Sequence, residues 1–344
     1  MSANRNEGFV LQKFGNAKES FVLKELEKPL CGDYDVVIAS EAFGLNFADV
    51  MARQGLYGDA PQLPCVLGYE CVGSIVQVGS KVTAVNIGDR VTAFSRFGSY
   101  ARMVKTTEQA VVKIPESWDV VTALACATQG CTAWFAAHET FPVRKGDVAL
   151  VMAAAGGVGG ILVQLLKNRG AHVIGVVGSS KKIDYVKALG ADDVVIREAG
   201  KLGELIVAAN KNKKIDIAFD NIGGKTFKEL FKIIAPGGRI AGYGAADRLL
   251  LKGWWGKYKL GFGFGFYNPV QLLIPSKTMA GINMLRIADR QPSLLQACLL
   301  QVTQAVDNGA VKVPDGKVFN YTQLSEAHEY LESGRSVGKI AVTW

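Results

Sequence analysis

The spacing of apolar positions changes along this chain, and the change divides it. From 147 the stretch "DVALVMAAAGGVGGILVQLLKNRGAHVIGVVGSSKK" opens as an apolar strand and passes through a turn of small residues. Val158, Ile161, Leu162, Leu165 and Leu166 then recur at helical spacing before a second apolar strand, so the pattern predicts a βαβ unit. Further strands are predicted at "DDVVI" (192–196), "IDIAFDNI" (215–222), "GRIAGYG" (238–244) and "TMAGINM" (278–284), separated by helical segments such as "KTFKELFKII". Such alternation predicts a parallel sheet covered by helices on both faces. Residues 8–115 behave differently. Short alternating runs rich in Val and Gly, as in "GSIVQVGSKVTAVNIGDRVTAF", are the pattern of a mainly β domain with tight turns. After about 286 a helix is predicted in "SLLQACLLQVTQAVDNGA" and a closing strand in "KIAVTW".

Size agrees with two domains: 344 residues, 49% of them hydrophobic, bury a large core. The expected boundaries put 1–128 and 286–344 in the β domain and 129–285 in the α/β domain. The formal charge of +8 is spread along the chain, and "KNKK" at 211–214 reads as a solvated turn, so no nucleic-acid partner is expected. Six scattered cysteines (31, 65, 71, 126, 131 and 298) form no C-x-x-C pair, and "MSANRNEGFV" lacks the apolar stretch of a secretory signal. A reducing, cytoplasmic setting is the expectation. No uninterrupted apolar run of about 18 residues occurs, so no spanning helix is expected.

The candidate chemistry starts at the turn. Ala154-Ala155-Gly156-Gly157-Val158-Gly159 is a G-x-G-x-x-G variant with Ala first, set between a strand and a helix. Glycines there let backbone approach a pyrophosphate and let the helix pack on the strand, while N-terminal amides face the negative charge. A tight turn without ligand is the plainer alternative. At the end of the second strand, where NAD enzymes carry Asp or Glu, stands Gly178-Ser179-Ser180-Lys181-Lys182. With hydroxyls at Ser179 and Ser180, an ammonium at Lys182 and no carboxylate to repel a 2′-phosphate, NADPH is the expected coenzyme.

"GLNFADVMARQGLY" (44–57), "LPCVLGYECVG" (63–73), "AAAGGVGG" and the closing "VGKIAV" (337–342) resemble the medium-chain dehydrogenase/reductase superfamily. Within it the likeness is to the zinc-free quinone oxidoreductases, nearest the vesicle amine transport protein homologues, and runs from about residue 8 to 344. The implied fold is a Rossmann doubly wound parallel sheet domain plus a mainly β, GroES-like catalytic domain. Zinc-dependent members resembled here hold catalytic metal with a Cys and a His at the places taken by Asn46 and Tyr69. An amide and a phenol replace two ligands, leaving Glu70 without a cluster, so no metal is expected. The four closely spaced cysteines of a structural zinc site are missing from "TAFSRFGSYARMV" as well, and Cys126 and Cys131 read as core thiols.

Without a Lewis acid, alcohol oxidation has no means of stabilising an alkoxide, whereas reducing a quinone or enone needs only positioning and one or two hydrogen-bond donors. The resemblance places Asn46 and Tyr57 beside the nicotinamide as those donors. A turn-stabilising Asn and a half-buried Tyr are the bland alternatives, and Tyr69 is a weaker candidate. By position the resemblance also implies coenzyme contacts at Thr132, Ala155, Asn221, Tyr243, Gly244, Asn283, Gly338 and Lys339, beside Gly156, Gly157, Val158 and Gly159. Met51 stands where some quinone reductases have a second Tyr, which leaves the proton donor open.

"LLLKGWWGKYKLGFGFGFYNPVQLLIP" (249–275) interleaves Trp254, Trp255, Tyr258 and Phe-Gly alternation with Lys252, Lys257 and Lys259. Aromatic and basic residues suit a membrane interface. A lid and homodimer contact is the favoured alternative. The expected activity is NADPH-dependent, zinc-independent hydride transfer to a quinone or other α,β-unsaturated carbonyl. The alternative is an NADPH-binding peripheral membrane or lipid-handling protein with little turnover.

Overall fold

The computed structural model describes residues 6–211, 213–251, 255–313 and 315–344. The chain divides into two compact units. Unit 1 is Met1–Cys131, Met284–Asn308 and Asp315–Trp344, and unit 2 is Thr132–Asn283 and Gly309–Pro314. The segment near 309–314, placed with the β domain by sequence, pairs instead with the helix Gly157–Asn168. Gln164 Nε2 donates to Lys312 O, and Lys312 N–H returns to Gln164 Oε1, both at 2.8 Å.

In unit 1 the strands pair antiparallel, which suits their alternating runs, except that Lys317–Asn320 and Ile340–Thr343 of the larger sheet are parallel to each other. Strands β1 (Glu7–Leu11), β2 (Phe21–Glu25) and β4 (Cys65–Val66) form a small sheet in the order β2-β1-β4. The larger sheet uses β3 (Asp35–Leu45), β5 (Glu70–Val78), β6 (Arg90–Phe94), β7 (Met103–Thr107), β8 (Val111–Lys113), β15 (Lys317–Asn320) and β16 (Ile340–Thr343). Its order is β15-β16-β3-β5-β6-β8, with β7 also on β3. One core packs Val36, Ile38, Cys71, Ile75, Val91 and Val104 between these strands. Another gathers Phe43, Leu45, Leu67, Tyr100, Ile340 and Val342.

The closing strand matters most for the site. β16 pairs with β3 in the register Ile340 to Leu45 and Ala341 to Gly44. This sets Lys339 beside the point where β3 ends and Asn46 opens the helix Phe47–Arg53. That helix is anchored at its far end: buried Arg53 donates to Gly15 O at 2.8 Å and pairs with Glu332, which also accepts from Gln54 at 2.7 Å.

In unit 2 the strands β9 (Val148–Val151), β10 (His172–Val177), β11 (Asp193–Ile196), β12 (Ile215–Asp220), β13 (Ile234–Gly242) and β14 (Thr278–Gly281) form one sheet. Every adjacent pair is parallel, in the order β11-β10-β9-β12-β13-β14. This is the doubly wound arrangement expected from sequence, with the strand order reversing beside β9. Leu150, Ile174, Val176, Ala218 and Ile240 fill its core. Of the predicted helical stripe, Ile161, Leu162, Leu165 and Leu166 are buried and Val158 is half-buried, and Val163 and Gln164 beside it are buried as well.

Among the described residues one helix, Val120–Thr140, is long and apolar enough to cross a membrane by length and composition. Most of its apolar window is buried in protein, 61%, as in a core helix. Its turns widen at Cys126–Gly130 and Phe135–Thr140. All six cysteines are free thiols, and Cys71, Cys126, Cys131 and Cys298 are buried.

Candidate active site

The glycine turn has the geometry that its residues imply. Gly156 is the N-cap of the helix Gly157–Asn168, in extended backbone and with no side chain to cap the first amides. Those amides are therefore open to an anion. A Cβ on Gly159 would lie 2.4 Å from Ala153 O and 2.8 Å from Ala154 Cα, so only glycine allows the helix this close to the strand. Ala153 turns the chain with a φ of 49°. Ala155, Gly157 and Gly159 are buried, while Gly156 and Val158 are half-buried.

At the end of β10, Ser179 caps the short turn Ser180–Lys182 by accepting the Lys181 N–H at 3.4 Å. Ser180 is exposed; Lys182 is half-buried, and burial lowers its ammonium pKa. Beyond β12 lies Asn221, whose Oδ1 is buried without a hydrogen-bond partner, an acceptor suited to a ligand donor. Gly244 sits against Asn221, and a Cβ there would meet Asn221 O at 2.8 Å. Tyr243 donates its hydroxyl to Met152 O at 3.4 Å, joining the ends of β13 and β9. Thr132 is buried and Asn283 is exposed just past β14.

Asp220, which sequence reasoning passed over, shapes this region. Its carboxylate accepts the Ile222 and Gly223 N–H groups, each at 2.9 Å, and burial pushes its pKa up to about 6. The available signal was an Asp at a strand end followed by "NIGG", an Asx-type turn.

Unit 1 holds a second, more polar constellation. Asn46 follows β3 as the N-cap of the helix Phe47–Arg53, in a capping box with Asp49. Asp49 Oδ2 accepts the Asn46 N–H at 2.8 Å, while the Asp49 N–H bonds Asn46 O at 2.9 Å. The Asn46 carboxamide also meets Glu70 and Lys339. Its Nδ2 donates to Glu70 Oε1 at 2.9 Å and its Oδ1 accepts from Lys339 Nζ at 3.2 Å.

The Lys339 ammonium also pairs with Glu70 and donates to Leu45 O at 3.2 Å, which employs its three N–H bonds. Glu70 Oε2 takes the Thr128 N–H at 2.8 Å from the widened helical turn. Lys339 and Glu70 are both fully buried in side chain. Glu70 thus sits in a complete set of partners, and the Lys339 ammonium is directed at Glu70 and Asn46. Gly338 beside it has a φ of 55°.

The two tyrosines meet edge to face, with ring centroids 6.1 Å apart and planes at 81°. Tyr57 is half-buried; burial and then the Asp59 carboxylate push its phenol up, so it stays protonated and able to donate. Tyr69 is buried, packs tilted against Phe97 with ring centroids 5.1 Å apart, and turns its hydroxyl to the Tyr57 phenol. Met51 is buried. Among the described residues no group of three or more His, Cys, Asp or Glu is arranged to hold a metal ion.

A parallel sheet with a glycine turn opening the helix after its first strand, in a chain that also holds a mainly antiparallel domain, is an arrangement of dinucleotide-binding dehydrogenases and reductases. Residues 32–116 match the alcohol dehydrogenase GroES-like domain, and residues 157–297 match the zinc-binding dehydrogenase family. A probable quinone oxidoreductase of Schizosaccharomyces pombe is 34% identical over 324 residues, covering 93% of this chain and 91% of the relative. The human synaptic vesicle membrane protein VAT-1 homolog is 26% identical over 91% of this chain and 79% of its own. The Escherichia coli quinone oxidoreductase, solved in complex with NADPH, superposes with a TM-score of 0.83 at 25% identity, covering 98% of this chain and all of the other. The chain belongs to the quinone oxidoreductase branch of the medium-chain dehydrogenase/reductase superfamily.

Proposed function

We propose that this chain is an NADPH-dependent, zinc-independent oxidoreductase that passes hydride to a quinone or another α,β-unsaturated carbonyl. The observation that carries the reading is the state of Glu70. Where zinc-dependent members place metal ligands, this chain has the Asn46 amide and the Tyr69 phenol, and the nearby carboxylate is held by the Lys339 ammonium and two N–H donors. A buried ammonium on the carboxylate repels a second cation, so this donor set does not fit zinc.

The unit 2 residues do fit NADPH. The uncapped helix start and the clearance at Gly159 suit a pyrophosphate, Asn221 Oδ1 awaits a donor, and Ser179, Ser180 and Lys182 suit a 2′-phosphate. Ala155, Gly156, Gly157, Val158, Thr132, Tyr243, Gly244 and Asn283 are proposed to line the same coenzyme, and Gly338 and Lys339, which belong to unit 1, are proposed as further coenzyme contacts. When bound, NADPH supplies a hydride to the electron-poor carbon of the substrate. The negative charge then gathers on the conjugated oxygen. Asn46 Nδ2 and the Tyr57 hydroxyl stabilise it by donating hydrogen bonds, and water or Tyr57 gives the proton.

The test is loss of reduced nicotinamide absorbance by chelator-treated protein over a panel of quinones and enones. Sustained turnover is expected. Zinc at one per chain, or activity lost to the chelator, would overturn the metal-free reading.

A second reading, an NADPH-binding peripheral membrane protein, rests on the helical segments Gly256–Phe264 and Pro269–Leu273. Trp255, Phe262, Phe266, Leu273 and Ile274 are exposed there, with Lys259 beside them. Trp254 and Lys252 lie outside the described residues. A homodimer formed through this segment and the edge strand β14 uses the same surface, and is the occupant we favour. Sedimentation as a dimer, with no flotation on anionic liposomes, is the expected result. A cytoplasmic setting, consistent with six free thiols, completes the proposal.

A further inference from the structure

Asn46 is useful as a donor only if its carboxamide presents nitrogen, not oxygen, to the substrate. A free Asn flips between the two at little cost, and each orientation offers the opposite hydrogen-bond sense. In this protein the choice is made by the surroundings. The ammonium of Lys339, which can only donate, faces Oδ1 at 3.2 Å, and the Glu70 carboxylate faces Nδ2 at 2.9 Å. A flipped amide would set N–H against an ammonium and a carbonyl oxygen against the carboxylate.

We propose that Lys339 and Glu70 are positioning residues: their buried ion pair locks the Asn46 carboxamide so that its second Nδ2–H is the one presented to the reacting oxygen. The inference rests on the reading of Asn46 as an oxyanion donor and adds what holds it. Three further features agree. Asp49 Oδ2 accepts the Asn46 N–H at 2.8 Å, which fixes the backbone from which the carboxamide projects. Each donor of the ammonium and both oxygens of Glu70 are satisfied, which makes the pair rigid. Gly44 makes the room: a Cβ there would lie 2.1 Å from Glu70 Oε1 and 2.5 Å from Lys339 Cε. Sequence separates the three groups, but the pairing of β3 with both β16 and β5 brings them together.

The test is a double-mutant cycle. Asn46→Ala should lower kcat on the order of 100-fold, the usual effect of removing one oxyanion donor. Lys339→Met should lower kcat comparably with NADPH affinity unchanged, and adding it to Asn46→Ala should lower kcat no further. Should Lys339→Met fail to fold, Glu70→Met/Lys339→Met removes the pair without leaving a buried charge. Equal multiplicative losses in both backgrounds would overturn the proposal. Independently of turnover, ¹⁵N-labelled asparagine allows the Asn46 amide protons to be followed by NMR, assigned by Asn46→Ala. One Nδ2 proton, hydrogen-bonded to Glu70, is expected to be shifted downfield and protected from solvent exchange in the wild type, and to lose both features in the pair-less variants. Unchanged amide signals there would also overturn it. Absence of all quinone and enone turnover in the wild type would remove the functional reading instead, and the amide signals would still decide the lock.

Discussion

Lys339 and Glu70 stand 269 residues apart in sequence, and their side chains form an ion pair with no exposure to solvent. Removing one member strands the other charge in the interior. Lys339→Met or Glu70→Met should therefore cost about 3–5 kcal/mol in unfolding free energy, whereas the double replacement should cost less than either single. Urea midpoints at neutral pH measure all three. Single variants as stable as the wild type would show that the two charges do not pair in the folded protein.

Asp49 gives the fold a predictable pH dependence. Burial is the main cause that lifts its carboxyl from 3.8 to about 7; the Asn46 and Gly68 N–H groups and Lys339 pull down, and Glu70 pushes up. A group raised in the folded state binds more protons folded than unfolded between the two values. Its contribution is therefore complete below about pH 4 and is lost as pH rises through about 7, on the order of 4 kcal/mol in all. Asp49→Asn should forfeit one acceptor at every pH but flatten this slope. The check is the difference in unfolding free energy between the two proteins, measured from pH 4 to 8. A constant difference would mean that Asp49 ionises normally.

The sequence made the coenzyme unit legible because its signals are local. The apolar run before 152, the small-residue turn and the stripe from Ile161 to Leu166 each lie within one element, and period alone predicts the βαβ unit. Strand ends were less exact, since "TMAGINM" pairs only as Thr278–Gly281 and "GRIAGYG" belongs to a strand already begun at Ile234. Asn46 and Tyr69 were found because they replace expected ligands in a contiguous motif. Their partners were not. Lys339 reaches Asn46 only through the pairing of β16 with β3, and Thr128 reaches Glu70 through a widened helical turn. Neither contact leaves a periodic mark in the chain.

Tyr57 and Tyr69 should respond differently to loss of the hydroxyl. The Tyr69 hydroxyl is buried against the Tyr57 phenol, so Tyr69→Phe removes at most one neutral hydrogen bond and should change stability by no more than about 1 kcal/mol. Its kcat should stay near that of the wild type. Tyr57 keeps part of its surface in solvent and a protonated phenol, so Tyr57→Phe should leave stability unchanged and lower kcat by roughly 10²-fold if it donates to the oxyanion. Thermal unfolding and steady-state kinetics on both variants decide the assignment. The reverse pattern, a large loss of kcat in Tyr69→Phe alone, would make the buried tyrosine the donor.

On the proposed reading, coenzyme preference depends on the end of β10, where Lys182 is half-buried beside Ser179 and Ser180. A charge-assisted hydrogen bond to a 2′-phosphate is worth about 1.5–3 kcal/mol, which corresponds to roughly 10–100-fold in affinity. Lys182→Glu replaces that attraction with repulsion and supplies the acceptor that ribose hydroxyls use in NAD enzymes. The KM for NADPH should rise by at least about tenfold. The KM for NADH should stay constant or fall, and kcat at saturating coenzyme should change little, because Lys182 has no part in the chemical step. Raising the salt concentration should weaken NADPH binding in the wild type and narrow the gap between the two proteins. Equal effects on both coenzymes would show instead that the substitution disturbs the turn Ser180–Lys182 itself, and the 2′-phosphate would then have to be read by other residues.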